Sequence, residues 1–147
     1  MLKIEHFSKT YGKSDKKAVD DLTLELNRGE IFGFLGPNGA GKSTTIKTVC
    51  GILNFEEGNI YIDGVNLKTN PVEAKMKIGY VPDNHEVYDK LSGMEYINFM
   101  ADVYNVSVEE RKARADKYID MFNLRDAIDK QIKTYSHGMK QKIVVIG

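Results

Sequence analysis

Eight consecutive residues, Gly36-Pro37-Asn38-Gly39-Ala40-Gly41-Lys42-Ser43, fit the pattern G-x-x-x-x-G-K-[ST], whose chemistry is the capture of a polyphosphate. The glycines let successive backbone N–H groups turn inward around phosphate oxygens, and a helix that follows presents the positive end of its dipole to the same anion. In such a loop Lys42 bridges the β- and γ-phosphates, and the Ser43 hydroxyl is a ligand for Mg²⁺, which neutralises charge that one lysine cannot cover. The chemistry needs a strand before the loop and a helix after it. The apolar run 31–35 supplies the first. Residues 42–53, with Ile46 and Val49 three apart and Gly51 near the stop, supply the second. Alone, the loop implies binding of a nucleoside triphosphate, which kinases, GTPases and motor ATPases have in common.

The surrounding periodicity divides the chain. Residues 2–7, 18–26, 30–35, 58–62 and 78–81 read as strands, most clearly 18–26 with alternating Leu22, Leu24 and Leu26. From Leu91 onward the period is helical. Ser92 with Glu95 and Ser107 with Glu110 each have the spacing of a capping box, where serine and glutamate satisfy one another's orphan amides. Ile97, Met100 and Tyr104 form one apolar stripe, and Ala115, Tyr118, Ile119 and Phe122 form another at i, i+3, i+4 and i+7. A last helix begins near Ser136 with Met139, Ile143 and Ile146 on one face.

Composition excludes several classes. The 147 residues carry 21 basic and 21 acidic side chains, so a broad nucleic-acid surface, which needs a basic excess, is not expected. With 41% hydrophobic residues the chain is that of a folded domain. Lone Cys50 cannot form an internal disulfide, and no Cys/His set has zinc spacing, which fits a reducing cytoplasm. No run approaches the roughly 18 apolar residues of a membrane span, so if a membrane matters this chain is expected to meet it through a partner.

The filled-in loop GPNGAGKSTT, with its flanks, resembles the ATP-binding subunit of an ABC transporter, in the branch of antibiotic-resistance and polysaccharide exporters. The resemblance implies an α/β fold: a P-loop NTPase core of ABC type with an antiparallel β subdomain and an α-helical subdomain, incomplete at the C-terminus. Residues 1–147 would be the N-terminal part of one nucleotide-binding domain, with 1–85 the β-rich core and 86–147 the helical subdomain up to the signature helix. Gly36 through Ser43, continued by Thr44, would bind the phosphates of ATP, with Mg²⁺ on Ser43. Tyr11, in Ser8-Lys9-Thr10-Tyr11-Gly12, matches the aromatic that stacks on adenine in this family. Ile78-Gly79-Tyr80-Val81-Pro82-Asp83 matches the Q-loop, with Asp83 in place of the usual glutamine as γ-phosphate and metal sensor. A carboxylate there is one methylene shorter and cannot donate as an amide does.

Tyr135-Ser136-His137-Gly138-Met139 matches the LSGGQ signature, which acts in trans: a serine hydroxyl, a glycine amide and a helix N-terminus cover the γ-phosphate held by a second subunit. The resemblance therefore implies a head-to-tail partner subunit and a transmembrane permease, and a cytoplasmic position at the inner face of the membrane. Glu86, Val87, Tyr88, Tyr96 and Met100 fall in or beside the groove that grips the permease. The Walker B acid, catalytic glutamate, D-loop and switch histidine of the family match nothing in 1–147, so this chain is expected to bind ATP without hydrolysing it. It is also expected to be poorly stable alone, with the helix from Ser136 short of packing partners. Two other readings share Lys42 and Ser43: a non-hydrolysing regulatory or interaction module, and a soluble ABC-type protein acting on ribosomes or DNA.

Overall fold

The alternation of Leu22, Leu24 and Leu26 does build a strand, and its neighbours follow by antiparallel pairing. In the computed structural model, which describes residues 1–12, 16–82 and 87–147, β1 (Leu2–Thr10), β2 (Lys17–Leu26), β3 (Glu57–Ile62) and β4 (Val65–Asn66) form one antiparallel sheet in the order β2-β1-β3-β4. Leu2 faces Leu26 on one side and Ile62 on the other, and Ile4 likewise faces Leu24 and Ile60. A strict period of two would put Ile4 and Phe7 on opposite faces. The register shift between them, with His6 at φ 50, resets the parity, so both side chains are buried. Phe7 meets the Phe55 ring edge-on at 5.6 Å.

Three helical and turn features complete this unit, Met1–Tyr80. The helix after the glycine loop, α1 (Lys42–Val49), is shorter than the sequence suggests. It stops because the Ile52 amide donates to the Lys47 carbonyl and the Gly51 amide to that of Thr48, the paired bonds of a Schellman closure. A two-residue Asp63-Gly64 turn joins β3 to β4, and α2 (Pro71–Lys75) starts with proline in its first turn. Neither β4 nor α2 was foreseen from periodicity, being too short to carry one.

Two expected strands are not formed among the described residues. Residues 30–35 and 78–81 belong to no ladder, and in the first run Ile31 is 103% and Leu35 90% exposed. Such apolar runs suit a parallel strand buried on both faces, and a strand of that kind is stabilised only by neighbours on either side. The sheet that does form is antiparallel throughout: the sequence neighbours β1–β2 and β3–β4 pair, and the long-range pairing of β1 with β3 joins the two halves.

The second unit, Val81–Gly147, is helical. Each long helix starts on a serine: Ser92 caps α3 (Gly93–Val103), Ser107 caps α4 (Val108–Met121) and Ser136 caps α5 (His137–Ile146). The Ser92–Glu95 box is complete in both directions. At Ser107 the serine half is present, while the Glu110 carboxylate pairs with Arg114 one turn on. Tyr96, Ile97, Ile119, Leu124, Ile128, Ile132 and Ile143 form the core. Ile143 of α5 is fully buried there, with Met139 and Ile146 packed against the same cluster, so α5 does have packing partners, supplied by α3 and α4.

Arg125 closes the end of α4 by donating to Asp120 and Asp116, each at 2.8 Å. These bonds to the guanidinium hold both carboxyls below the usual carboxylate range. A depressed carboxyl stabilises the fold above its unfolded pKa, about 3.9, and the contribution is lost as pH falls through the lower folded value. Arg125→Leu is therefore expected to flatten the acid limb of stability below about pH 4, measured by denaturant midpoint against pH. An unchanged limb would remove this network from the account of acid unfolding.

Candidate functional site

The glycine loop is shaped by contacts with β2. Gly41 sits immediately before α1 at φ 84, a left-handed conformation, and a Cβ there would lie 2.4 Å from the Ala18 carbonyl oxygen and 2.9 Å from Val19 Cγ2. Only a residue without a side chain lets the loop run this close to the strand. Gly39 has a similar φ of 82 but nothing within 4 Å of such an atom. The Ala40 amide donates to the Pro37 carbonyl at 3.2 Å, folding the loop into a turn.

The lysine is already at the centre of that turn. Lys42 Nζ donates to the carbonyl oxygens of Gly36 at 2.6 Å and Pro37 at 2.7 Å, which places the ammonium inside the ring of loop backbone. α1 has no side-chain cap, in contrast to the three serine-capped helices of the other unit. Its first-turn amides, on Lys42, Ser43 and Thr44, belong to the set that a helix cannot satisfy internally. Together they offer N–H donors beside one cation, which fits a phosphate chain.

Mg²⁺ also fits what is present. Ser43 is exposed in the first turn of α1, and among the described residues no group of three or more His, Cys, Asp or Glu could hold a metal. A serine hydroxyl beside a phosphate site suits Mg²⁺, which keeps several waters and shares phosphate oxygens without requiring a protein cage. Asp83, the other candidate metal ligand, lies outside the described residues, as does Glu86.

Tyr11 reaches the same place from the end of β1. Its hydroxyl is 3.2 Å from Thr44 Oγ1, and the Lys9 ammonium stands 6.0 Å from its ring centroid. Lys9 and the Tyr11–Thr44 contact were missed by motif reading. The signal available was that Lys9 and Tyr11 are two residues apart, which on an extended chain puts them on one face.

The residues expected to form the signature belong to the helical unit. Ser136 accepts from the Met139 amide at 3.3 Å, and Ser136, His137 and Gly138 are all exposed at the start of α5. A Cβ on Gly138 would meet nothing within 4 Å, so packing within the unit does not require glycine there. Tyr135 is different. It is buried, its hydroxyl donates to the Ala127 carbonyl at 2.7 Å, and burial pushes its phenol pKa up, so this residue anchors the segment. Of the residues expected to line a partner groove, Tyr96 is core, Val87 and Met100 pack against the core, and Tyr88 is 58% exposed with its ring edge-on to Phe99 at 5.2 Å.

No helix among the described residues is long and apolar enough to cross a membrane. A sequence profile of the family described as "ABC transporter" matches residues 19–146. The linearmycin resistance ATP-binding protein LnrL of Bacillus subtilis is 38% identical over 143 residues, which is 97% of this chain and 45% of that protein. The chain thus spans about half the length of the curated relatives it matches. The structure of an ATP-binding subunit of an ABC transporter superposes with a TM-score of 0.93 at 30% identity, covering 99% of this chain and 60% of that one. The dimeric structure of MJ0796, a bacterial ABC transporter cassette, gives 0.82 at 26%, covering 99% and 68%. The fold is that of these P-loop ATPase domains, and the chain belongs to the ABC transporter family, among its ATP-binding proteins.

Proposed function

We propose that residues 1–147 are the N-terminal part of one nucleotide-binding domain, with 1–85 the β-rich core and 86–147 the helical subdomain. In this reading the domain is an ATP-binding subunit that couples ATP binding and hydrolysis to export of a solute. The observation that carries it is the loop itself, with the Lys42 ammonium bonded inside a turn whose Gly41 is packed against β2 and whose helix is uncapped. Gly36 through Ser43 and Thr44 hold the phosphates, Ser43 with Asp83 serves Mg²⁺, and Tyr11 stacks on adenine. The name of LnrL, a resistance protein, supports the export direction.

Ser136, His137, Gly138 and Met139 face the γ-phosphate of a second subunit, and the dimeric cassette of the relative supports that pairing. Tyr88 and Phe99 offer the exposed aromatic surface for a permease at the membrane's inner face. Residues 1–147 supply binding and closure. None of them is assigned as the base that polarises water. The test is calorimetric titration of Mg-ATP into the chain. Lys42→Ala is expected to weaken saturable binding on the order of tenfold to a hundredfold, the worth of a charge-assisted contact. Equal affinity in the variant would overturn the reading.

A further inference from the structure

We infer that Tyr11 and Thr44 form a positioning pair, in which a bond between their hydroxyls ties the platform for the base to the cradle for the phosphates. The inference rests on the nucleotide site proposed above and goes beyond it by giving the Tyr11 hydroxyl a task that stacking does not require.

Two observations carry it. Tyr11 Oη and Thr44 Oγ1 are 3.2 Å apart although 33 residues separate them in sequence. Of the threonines on α1, Thr45 and Thr48 turn their hydroxyls back onto carbonyls four residues earlier, Thr45 to Gly41 at 3.0 Å and Thr48 to Thr44 at 2.8 Å. That local bond is the usual one for threonine within a helix. Thr44 instead reaches outward, to a residue beyond the end of β1. Its own amide is one of the three first-turn donors aimed at the phosphates, so whatever steadies Thr44 steadies that donor.

The aromatic ring is held from a second side. Lys9, whose side chain is only 12% exposed, pairs with Glu56 at 3.4 Å and sets its ammonium 6.0 Å from the ring centroid. With its rim bonded to Thr44 and a cation near its ring, the tyrosine arrives at a base already oriented. Pre-orientation of this kind improves affinity by lowering the ordering cost of binding. Phenylalanine would stack as well and would lack the tie.

The consequence is that the Tyr11 hydroxyl matters to a ligand with no base at all. The experiment is titration of inorganic tripolyphosphate and of Mg-ATP into the full chain and its variants. Tyr11→Phe and Thr44→Val are each expected to weaken tripolyphosphate by roughly three- to tenfold, the worth of one hydrogen bond. Tyr11→Phe with Thr44→Val together should lose no more than either alone, since both remove one bond. Thr44→Ser, which keeps a hydroxyl, should bind several-fold tighter than Thr44→Val. Wild-type affinity for tripolyphosphate in Tyr11→Phe, or losses that multiply in the double variant, would overturn the pairing. Lys42→Ala separates the two levels. If it abolishes tripolyphosphate binding while Tyr11→Phe is silent, the phosphate site stands and the pairing falls. If it leaves binding intact, both fall.

Discussion

Gly41→Ala is expected to remove nucleotide binding and to destabilise the β-rich unit by about 2–4 kcal/mol. Two costs combine. An L-residue held at φ 84 carries roughly 1–2 kcal/mol of backbone strain. The added methyl carbon would also lie 2.4 Å from the Ala18 carbonyl oxygen, a backbone atom of β2 that cannot rotate away. Relief requires the loop to move off the strand, which carries the first-turn amides and the Lys42 ammonium with it. Binding of Mg-ATP should therefore fall more than a hundredfold, beyond the loss from Lys42→Ala, because every donor moves and not one alone. Gly39→Ala is the control. Its φ of 82 imposes similar strain, but nothing stands within 4 Å, so about 1 kcal/mol is expected. Denaturant midpoints and titrations of the two variants decide the matter. Equal losses at Gly39 and Gly41 would mean that strain alone, and not the approach to β2, fixes the loop.

How far such geometry can be foreseen depends on where its cause lies. The glycine loop is legible because its chemistry is local: consecutive amides, one lysine and one helix start come from consecutive residues. The serine caps are legible for the same reason, and Ser92, Ser107 and Ser136 all cap helices where the spacing places them. At Glu110 the local rule is outcompeted, because Arg114 one turn away offers the carboxylate a charged partner. Residues 30–35 fail in the other direction. Their pattern is that of a buried strand, but a strand is a relation between chain segments, and composition says nothing about which neighbour is present.

Contacts between remote residues are the least legible part. Nothing in Ala18 or Val19 announces that β2 will press against Gly41, yet that contact decides why the third glycine of the loop is glycine. Nothing in a threonine on a helix announces that it will turn outward to Tyr11. His6 at φ 50 belongs to this class too. It is the price of keeping both Ile4 and Phe7 in the core, and a period-of-two reading of β1 has no place for it. Tyr135 is an intermediate case. It opens the segment matched to the signature without a role assigned to it there, and its buried hydroxyl on Ala127 makes it a structural anchor.

Gly138→Ala is expected to separate stability from function at the signature. At most positions where glycine is needed, removing it harms both. Here a Cβ would meet nothing within 4 Å, the residue lies in the first turn of α5, and alanine is the better helix former. The helical unit should therefore melt at the wild-type temperature or slightly above it, with a gain of up to about 0.5–1 kcal/mol. Turnover should move the opposite way. If the start of α5 closes over a γ-phosphate held by a second subunit, the glycine leaves room for an anion to approach the backbone amides, as it does in other phosphate sites. A methyl group there holds the phosphate off, and the fully assembled transporter should lose ATP hydrolysis by about a hundredfold or more, comparable to losing one donor to a developing charge. Binding of Mg-ATP to the isolated chain should be unaffected, because the site proposed for that ligand is the glycine loop. The diagnostic is the combination of a normal melt, normal binding and lost turnover. A variant that hydrolyses ATP at the wild-type rate would show that Gly138 faces solvent throughout the cycle, and the start of α5 would then be a capped helix and nothing more.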